Sequence, residues 1–180
     1  MLTLKSYEDI VASIPVREVV SSLPDRLMPL WCDDYYDTNP RADLLTVDLK
    51  DSGATFTYLF DLGLQRIVVA CGVPIVPEHG RDYGRQAGYP KPKQRFVKGH
   101  LIAHSMGGGM DINFVPQLGS MNGGAFRKIE KLAQKNALEN LKSFYFVRAL
   151  YNDATEVPGM LEQCLVYPSG RMSYELHRNY

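Results

Sequence analysis

The stretch Lys98-Gly99-His100-Leu101-Ile102-Ala103-His104, carried through Gly107-Gly108-Gly109 to Asn113-Phe114-Val115-Pro116-Gln117, Met121-Asn122 and Glu130, decides how this chain reads. An apolar run from Phe96 to Ala103 holds one histidine. A loop of small residues follows from Ser105 to Gly109, and a second apolar run, Ile112 to Val115, stops at Pro116. Periodicity gives strand, loop, strand and then helix. In the helix, Ala125, Phe126, Ile129, Leu132, Ala133 and Leu138 recur three and four residues apart and form one apolar stripe, with Lys128, Lys131, Lys135 and Glu139 largely off it. Ser120 reads as the N-cap, and Gly123 and Gly124 leave the first turn open to a ligand. Asn122 then sits at or beside the helix N-terminus, where unpaired N–H groups and the helix dipole favour a phosphate.

A strand–strand–helix unit of this kind can bring a histidine and an asparagine into one cleft. The imidazole can take a proton from water. The amide oxygen can hold a hard cation that keeps most of its waters, as Mg²⁺ prefers, and a cation there would neutralise charge growing on a phosphate and its leaving oxygen. That is the minimum equipment for hydrolysing a phosphodiester with one metal.

The ordered set Gly99-His100, Asn113, Pro116, Gln117, Asn122, Phe126 and Glu130 resembles the non-specific DNA/RNA endonucleases of the ββα-metal, or His-Me finger, group. The gaps from Asn113 to Gln117, Asn122 and Glu130 fit that family without insertion. The resemblance covers Phe96 to about Gln134. It implies that His100 is the general base, that Asn122 is the direct protein ligand of a divalent cation (Mg²⁺, with Mn²⁺ able to substitute), and that Glu130 holds the cation's water. It implies a supporting role for Asn113 and Gln117 in the loop and cleft, with Asn113 counted among the catalytic set and Gln117 at the substrate. Two positions depart from the family. Val97-Lys98 stands where Asp-Arg is usual, so Lys98 supplies charge without the bidentate fork of arginine. Phe126 replaces the usual tryptophan.

Blander readings compete residue by residue. A histidine in a strand is often only packed and hydrogen-bonded, Asn122 alone reads as a helix cap, and Glu130 alone as a solvated helix residue. Gly107-Gly108-Gly109 lacks the following Lys-Ser/Thr of a phosphate-cradling loop. His104 lies four residues after His100, but the glutamate of a His-Glu-x-x-His zinc helix is absent, so it reads as a loop residue within reach of the cleft. The register shared by Asn113, Gln117, Asn122 and Glu130 favours the catalytic reading of His100.

Composition sets the frame. A chain of 180 residues with 45% hydrophobic and 22% charged residues suits one compact domain, residues 1–180, with its own core. There is no apolar run near 18 residues, which argues against a membrane partner, and Met1 to Pro15 carries Lys5, Glu8 and Asp9 without a signal-peptide core. A chain made and kept in the cytoplasm is expected, or one exported or delivered without a cleaved signal. Cys32, Cys71 and Cys164 share no metal-ligand spacing and read as free thiols. The formal net charge is zero, yet from His79 to Lys98 six cations (Arg81, Arg85, Lys91, Lys93, Arg95, Lys98) face one acid, Asp82. Tyr83, Tyr89 and Phe96 are interleaved with them, a pattern suited to phosphate contact and base stacking. Arg81, Arg85, Lys93 and Arg95 are therefore candidate substrate contacts.

Along the rest of the chain, Ser6 to Ile14 reads as a helix with Ser6 and Asp9 in a capping box, and Val16 to Leu23 as a helical turn or two closed by Pro24. Pro29 to Pro40 reads as a loop with Trp31 and an acid cluster, Asp33, Asp34 and Asp37: solvated, cation-binding, or docked on the basic loop. Leu44 to Leu49, Ala54 to Phe60 and Gln65 to Val73 read as an antiparallel meander. Phe144 to Leu150 reads as a strand, and Leu161 to Tyr167 and Arg171 to Leu176 as a hairpin through Pro168-Ser169-Gly170. The sum is an α+β fold with a central antiparallel sheet, a ββα-metal finger and flanking helices.

The expected function is metal-dependent, non-specific endonuclease action on DNA or RNA, in the setting of a toxin, defence or scavenging enzyme, with an immunity or inhibitor protein as a further partner. The alternative is a non-catalytic nucleic-acid-binding module on a degenerate nuclease scaffold. A purely structural α+β interaction domain is a third reading.

Overall fold

In a computed structural model, residues 2–51, 53–78, 80, 95–109 and 112–180 are described. The basic loop, with Arg81, Arg85, Lys93, Tyr83 and Tyr89, lies outside them. Six strands form one antiparallel sheet: β1 (Leu44–Asp51), β2 (Ala54–Asp61), β3 (Arg66–Gly72), β6 (Phe144–Leu150), β7 (Met160–Val166) and β8 (Met172–Arg178), in the order β1-β2-β3-β6-β7-β8. A separate antiparallel ribbon pairs β4 (Phe96–His100) with β5 (Phe114–Leu118). The four α-helices among the described residues are α1 (Leu4–Ala12), α2 (Val19–Thr38), α3 (Gly119–Gly123) and α4 (Phe126–Leu138). The expected meander and the hairpin at Pro168-Ser169-Gly170 are present, and Gly170 takes the positive φ of 82° that its turn needs.

Alternation along the strands gives the sheet two apolar faces. Phe144, Phe146, Cys164 and Val166 pack with α1 and α2 on one side. Tyr145, Val147, Ala149, Leu161 and Leu165 pack with the ribbon and α4 on the other. The molecule is thus three layers: a helical layer, the sheet, and the ββα unit. The three cysteines are free thiols. No helix among the described residues is long and apolar enough to cross a membrane.

The helical layer corrects the sequence reading most. One helix, α2, runs through Pro24 and Pro29 and carries Trp31, which was expected in a loop. Val19, Leu23, Leu27, Trp31 and Tyr35 recur every four residues and are all buried. Burying each is worth about 1.5–3 kcal/mol and an interior proline costs about 3 kcal/mol, so five buried side chains outweigh two prolines. Both prolines sit off the buried stripe, where water can take the carbonyl bonds they leave open. The acid cluster is likewise helical. Asp34 pairs with the buried Arg148, which also bonds Glu162 at 3.1 Å and the Tyr7 hydroxyl at 2.8 Å, while Asp33 and Asp37 are exposed. Helix α1 starts earlier than expected, and its capping box is Thr3 with Ser6, not Ser6 with Asp9.

Candidate active site

The ribbon is set by one small-residue requirement. Gly99 pairs with Val115, and a Cβ on it would stand 1.9 Å from Gln117 Oε1 and 2.5 Å from Gln117 Cβ. The glycine beside His100 is therefore the space that the buried Gln117 occupies. Gly99→Ala is expected to destabilise the protein by about 1–3 kcal/mol, the usual cost of overfilling a packed interior, and Gln117→Gly should recover part of it. Thermal melts of the single and double variants check this; purely additive losses would be against it.

Strand β4 ends at His100, so the apolar residues that follow it are not strand, as had been expected. Leu101 and Ile102 turn into the core, both at 0% exposure. Asn113 makes that turn possible. Its Oδ1 accepts from Ile102 N at 2.9 Å, and its Nδ2 donates to the carbonyls of Ile102 at 2.6 Å and Gly109 at 2.8 Å. Asn113 is buried, and these three bonds clamp the 101–109 loop. Gln117 is at 0% exposure, and its Oε1 and Nε2 are buried without a hydrogen-bond partner among the described residues.

Strand β5 continues through Pro116 to Leu118 instead of stopping at the proline, which is tolerated because the ribbon has only two strands. Its outer edge is held by Asn179, far along the chain. Asn179 Oδ1 accepts from Leu118 N at 2.9 Å, and Nδ2 donates to the Pro116 and Pro158 carbonyls at 2.9 and 2.8 Å. The chain then enters α3, which carries Asn122, and breaks at Gly124 before α4. The single helix expected from Asn122 is thus two. Ser120 lies inside α3 and caps nothing, and Ala125 and Leu138 of the expected stripe are exposed. Helix α4 is seated by Gln163, whose Nε2 donates to the Phe126 carbonyl at 2.9 Å, and by His177, whose ring lies 5.2 Å from that of Phe126.

These supports bring His100, Asn122 and Glu130 to the wall of one cleft of about 490 Å³. The same cleft is lined by His104, Ser105, Arg127, Lys131 and Gln134. His100 is 9% exposed, with its ring 4.3 Å from that of Phe114, its cross-strand partner. Gln134 Nε2 donates to Ser105 Oγ at 2.5 Å, tying α4 to the turn that begins at His104. Lys98 is on the His100 face of β4 by strand alternation, and Arg95 stacks 5.6 Å from the centre of the Phe96 ring. Arg127, Lys131 and Gln134 were missed as site residues. Their spacing from Glu130, three before and one and four after, was the available signal, because it puts them on one helix face.

Glu130 is not the solvated residue that its sequence position alone suggested. It is 9% exposed, and burial raises its carboxyl to about 7, with the Arg127 charge acting in the opposite sense. With the unfolded group near 4.5, the folded state binds the extra proton between about 4.5 and 7. Stability should therefore fall as pH rises through that window, by roughly 2–3 kcal/mol for this one group. In EDTA, urea unfolding at pH 5 and pH 8 is expected to show this loss in the wild type and to show it much reduced in Glu130→Gln. Equal pH dependence in both proteins would refute the assignment.

Asn122 and Glu130 bring hard oxygen donors to a cleft roomy enough for a hydrated ion. Among the described residues no group of three or more His, Cys, Asp and Glu could form a protein cage for a metal. One amide oxygen, one carboxylate and space for water suit a cation that keeps most of its hydration, so the residues fit.

A two-stranded ribbon thus feeds a helix across a polar cleft, in the strand–strand–helix order expected from the sequence. Residues 76–164, just under half of the chain, match the family model described as DNA/RNA non-specific endonuclease. Among solved structures, an extracellular endonuclease is similar at 15% identity and a TM-score of 0.47, over 78% of this chain and 80% of that one. No curated protein matches the chain.

Proposed function

We propose that the protein is a metal-dependent endonuclease that hydrolyses DNA or RNA phosphodiesters with little or no sequence preference. The observation that supports it is the meeting of His100, Asn122 and Glu130 at one cleft. In this reading the neutral imidazole of His100 accepts a proton from water as the water oxygen bonds to phosphorus and the bond to the 3′ oxygen breaks. Asn122 would hold the cation through its amide oxygen, and Glu130 would hold the cation's water. When bound, the cation supplies positive charge against the phosphate and the departing oxygen. Lys98 and Arg95 bring charge to neighbouring phosphates.

The test is cleavage of supercoiled plasmid and of total RNA by the purified protein with Mg²⁺, with Mn²⁺ and with EDTA. Cleavage that needs the cation supports the proposal and ranks DNA against RNA. Binding without cleavage under every cation would replace it with a non-catalytic nucleic-acid-binding module.

A further inference from the structure

Helix α4 carries four cationic residues near the cleft, Arg127, Lys128, Lys131 and Lys135, and the structure sorts them into two pairs. Lys128 is neutralised by Glu175 at 2.7 Å, and Lys135 lies 3.8 Å from Glu139. Neither lines the cleft. Arg127 and Lys131 do line it, and neither makes an ion pair or a hydrogen bond among the described residues.

Four residues apart on a helix, Arg127 and Lys131 are one turn and about 6 Å apart along its axis. Both are exposed at the cleft. Two cations at that spacing, lining the cleft and outside any ion pair among the described residues, match two phosphates of one strand.

We propose that Arg127 and Lys131 form a flanking phosphate subsite, which holds the strand next to the bond that is cut and makes a polynucleotide the preferred substrate over a small diester. This rests on the nuclease reading. The subsite contacts phosphates alone, so it adds affinity without sequence preference.

Binding of a single-stranded oligonucleotide in EDTA, at several salt concentrations, tests the subsite without any turnover. Each phosphate contact in a single strand contributes about 0.7 to the slope of log affinity against log salt. Arg127→Ala/Lys131→Ala is therefore expected to flatten the slope by about 1.4. With Mg²⁺ present, the ratio of polynucleotide to bis(4-nitrophenyl) phosphate turnover should fall tenfold or more, through KM for the polymer. Lys128→Ala/Lys135→Ala removes the same charge from outside the cleft and is the control. An unchanged salt slope, or equal losses in the two double variants, would overturn the subsite. So would a loss that falls on kcat alike for both substrates. If the wild type cuts nothing, the nuclease reading fails, and the salt slopes still decide the subsite.

Discussion

Replacing His100 by alanine should slow phosphodiester cleavage by about 10²–10⁴-fold, the contribution of a positioned general base. The loss should appear in kcat, because the imidazole acts as the water attacks and not when the substrate binds. The ring also packs against Phe114 at 4.3 Å, so a structural role must be separated from a chemical one. Two readouts do so. Imidazole added to the buffer should restore part of the activity of His100→Ala, since a free base can enter the space the side chain leaves, whereas a packing defect would not respond. Wild-type activity should also fall on acidification, because a protonated imidazole cannot accept the water's proton. Normal turnover by His100→Ala would end the proposed mechanism.

The second large effect is expected at Asn122. If its amide oxygen is the one direct protein contact to the cation, Asn122→Ala should lower cleavage at about 1 mM Mg²⁺ by at least about 100-fold, since loss of even an outer-shell partner costs about 10–100-fold. Asn122→Asp keeps an oxygen at the position and should retain more activity than the alanine variant. Cation binding can be followed separately by electron paramagnetic resonance of Mn²⁺. The midpoint should move to higher Mn²⁺ in Asn122→Ala and stay near wild type in His100→Ala. An unmoved midpoint in Asn122→Ala would place the cation on other residues.

The ββα unit was legible in the sequence because its chemistry needs particular residue types at fixed spacing. His100, Asn122 and Glu130 could be named before any coordinates, and the structure brings them to one cleft. What the local pattern hid was decided by tertiary burial. Pro24 and Pro29 read as helix ends, yet the stripe from Val19 to Tyr35 buries enough side chain to carry α2 through both. Glu130 was named for its role, but its burial was not legible, because the neighbours that bury it come from elsewhere in the chain. Asn179 could not be found at all, since its partners Leu118 and Pro116 lie 61 and 63 residues away. The Gly99 requirement belongs between these cases. The motif marked the position, but the reason for it, the Gln117 side chain, needed the pairing of β4 with β5.

The three-layer arrangement has an electrostatic consequence. Glu8, Asp25, Asp33 and Asp37 are exposed on the helical layer, where Lys5 and Arg17 are matched by Asp9 and Glu18 and the exposed Arg26 offsets one of the four. Across the sheet, the ββα layer presents Lys98, Arg127 and Lys131. In a chain with zero formal charge, the described residues thus form a dipole whose positive pole lies at the cleft. In the field of a polyanion such a molecule feels little net pull but a definite torque, which turns the cleft toward the strand before contact. Salt should weaken that turning more than it weakens the bound complex, so ionic strength should act on the rate of capture ahead of the rate of release.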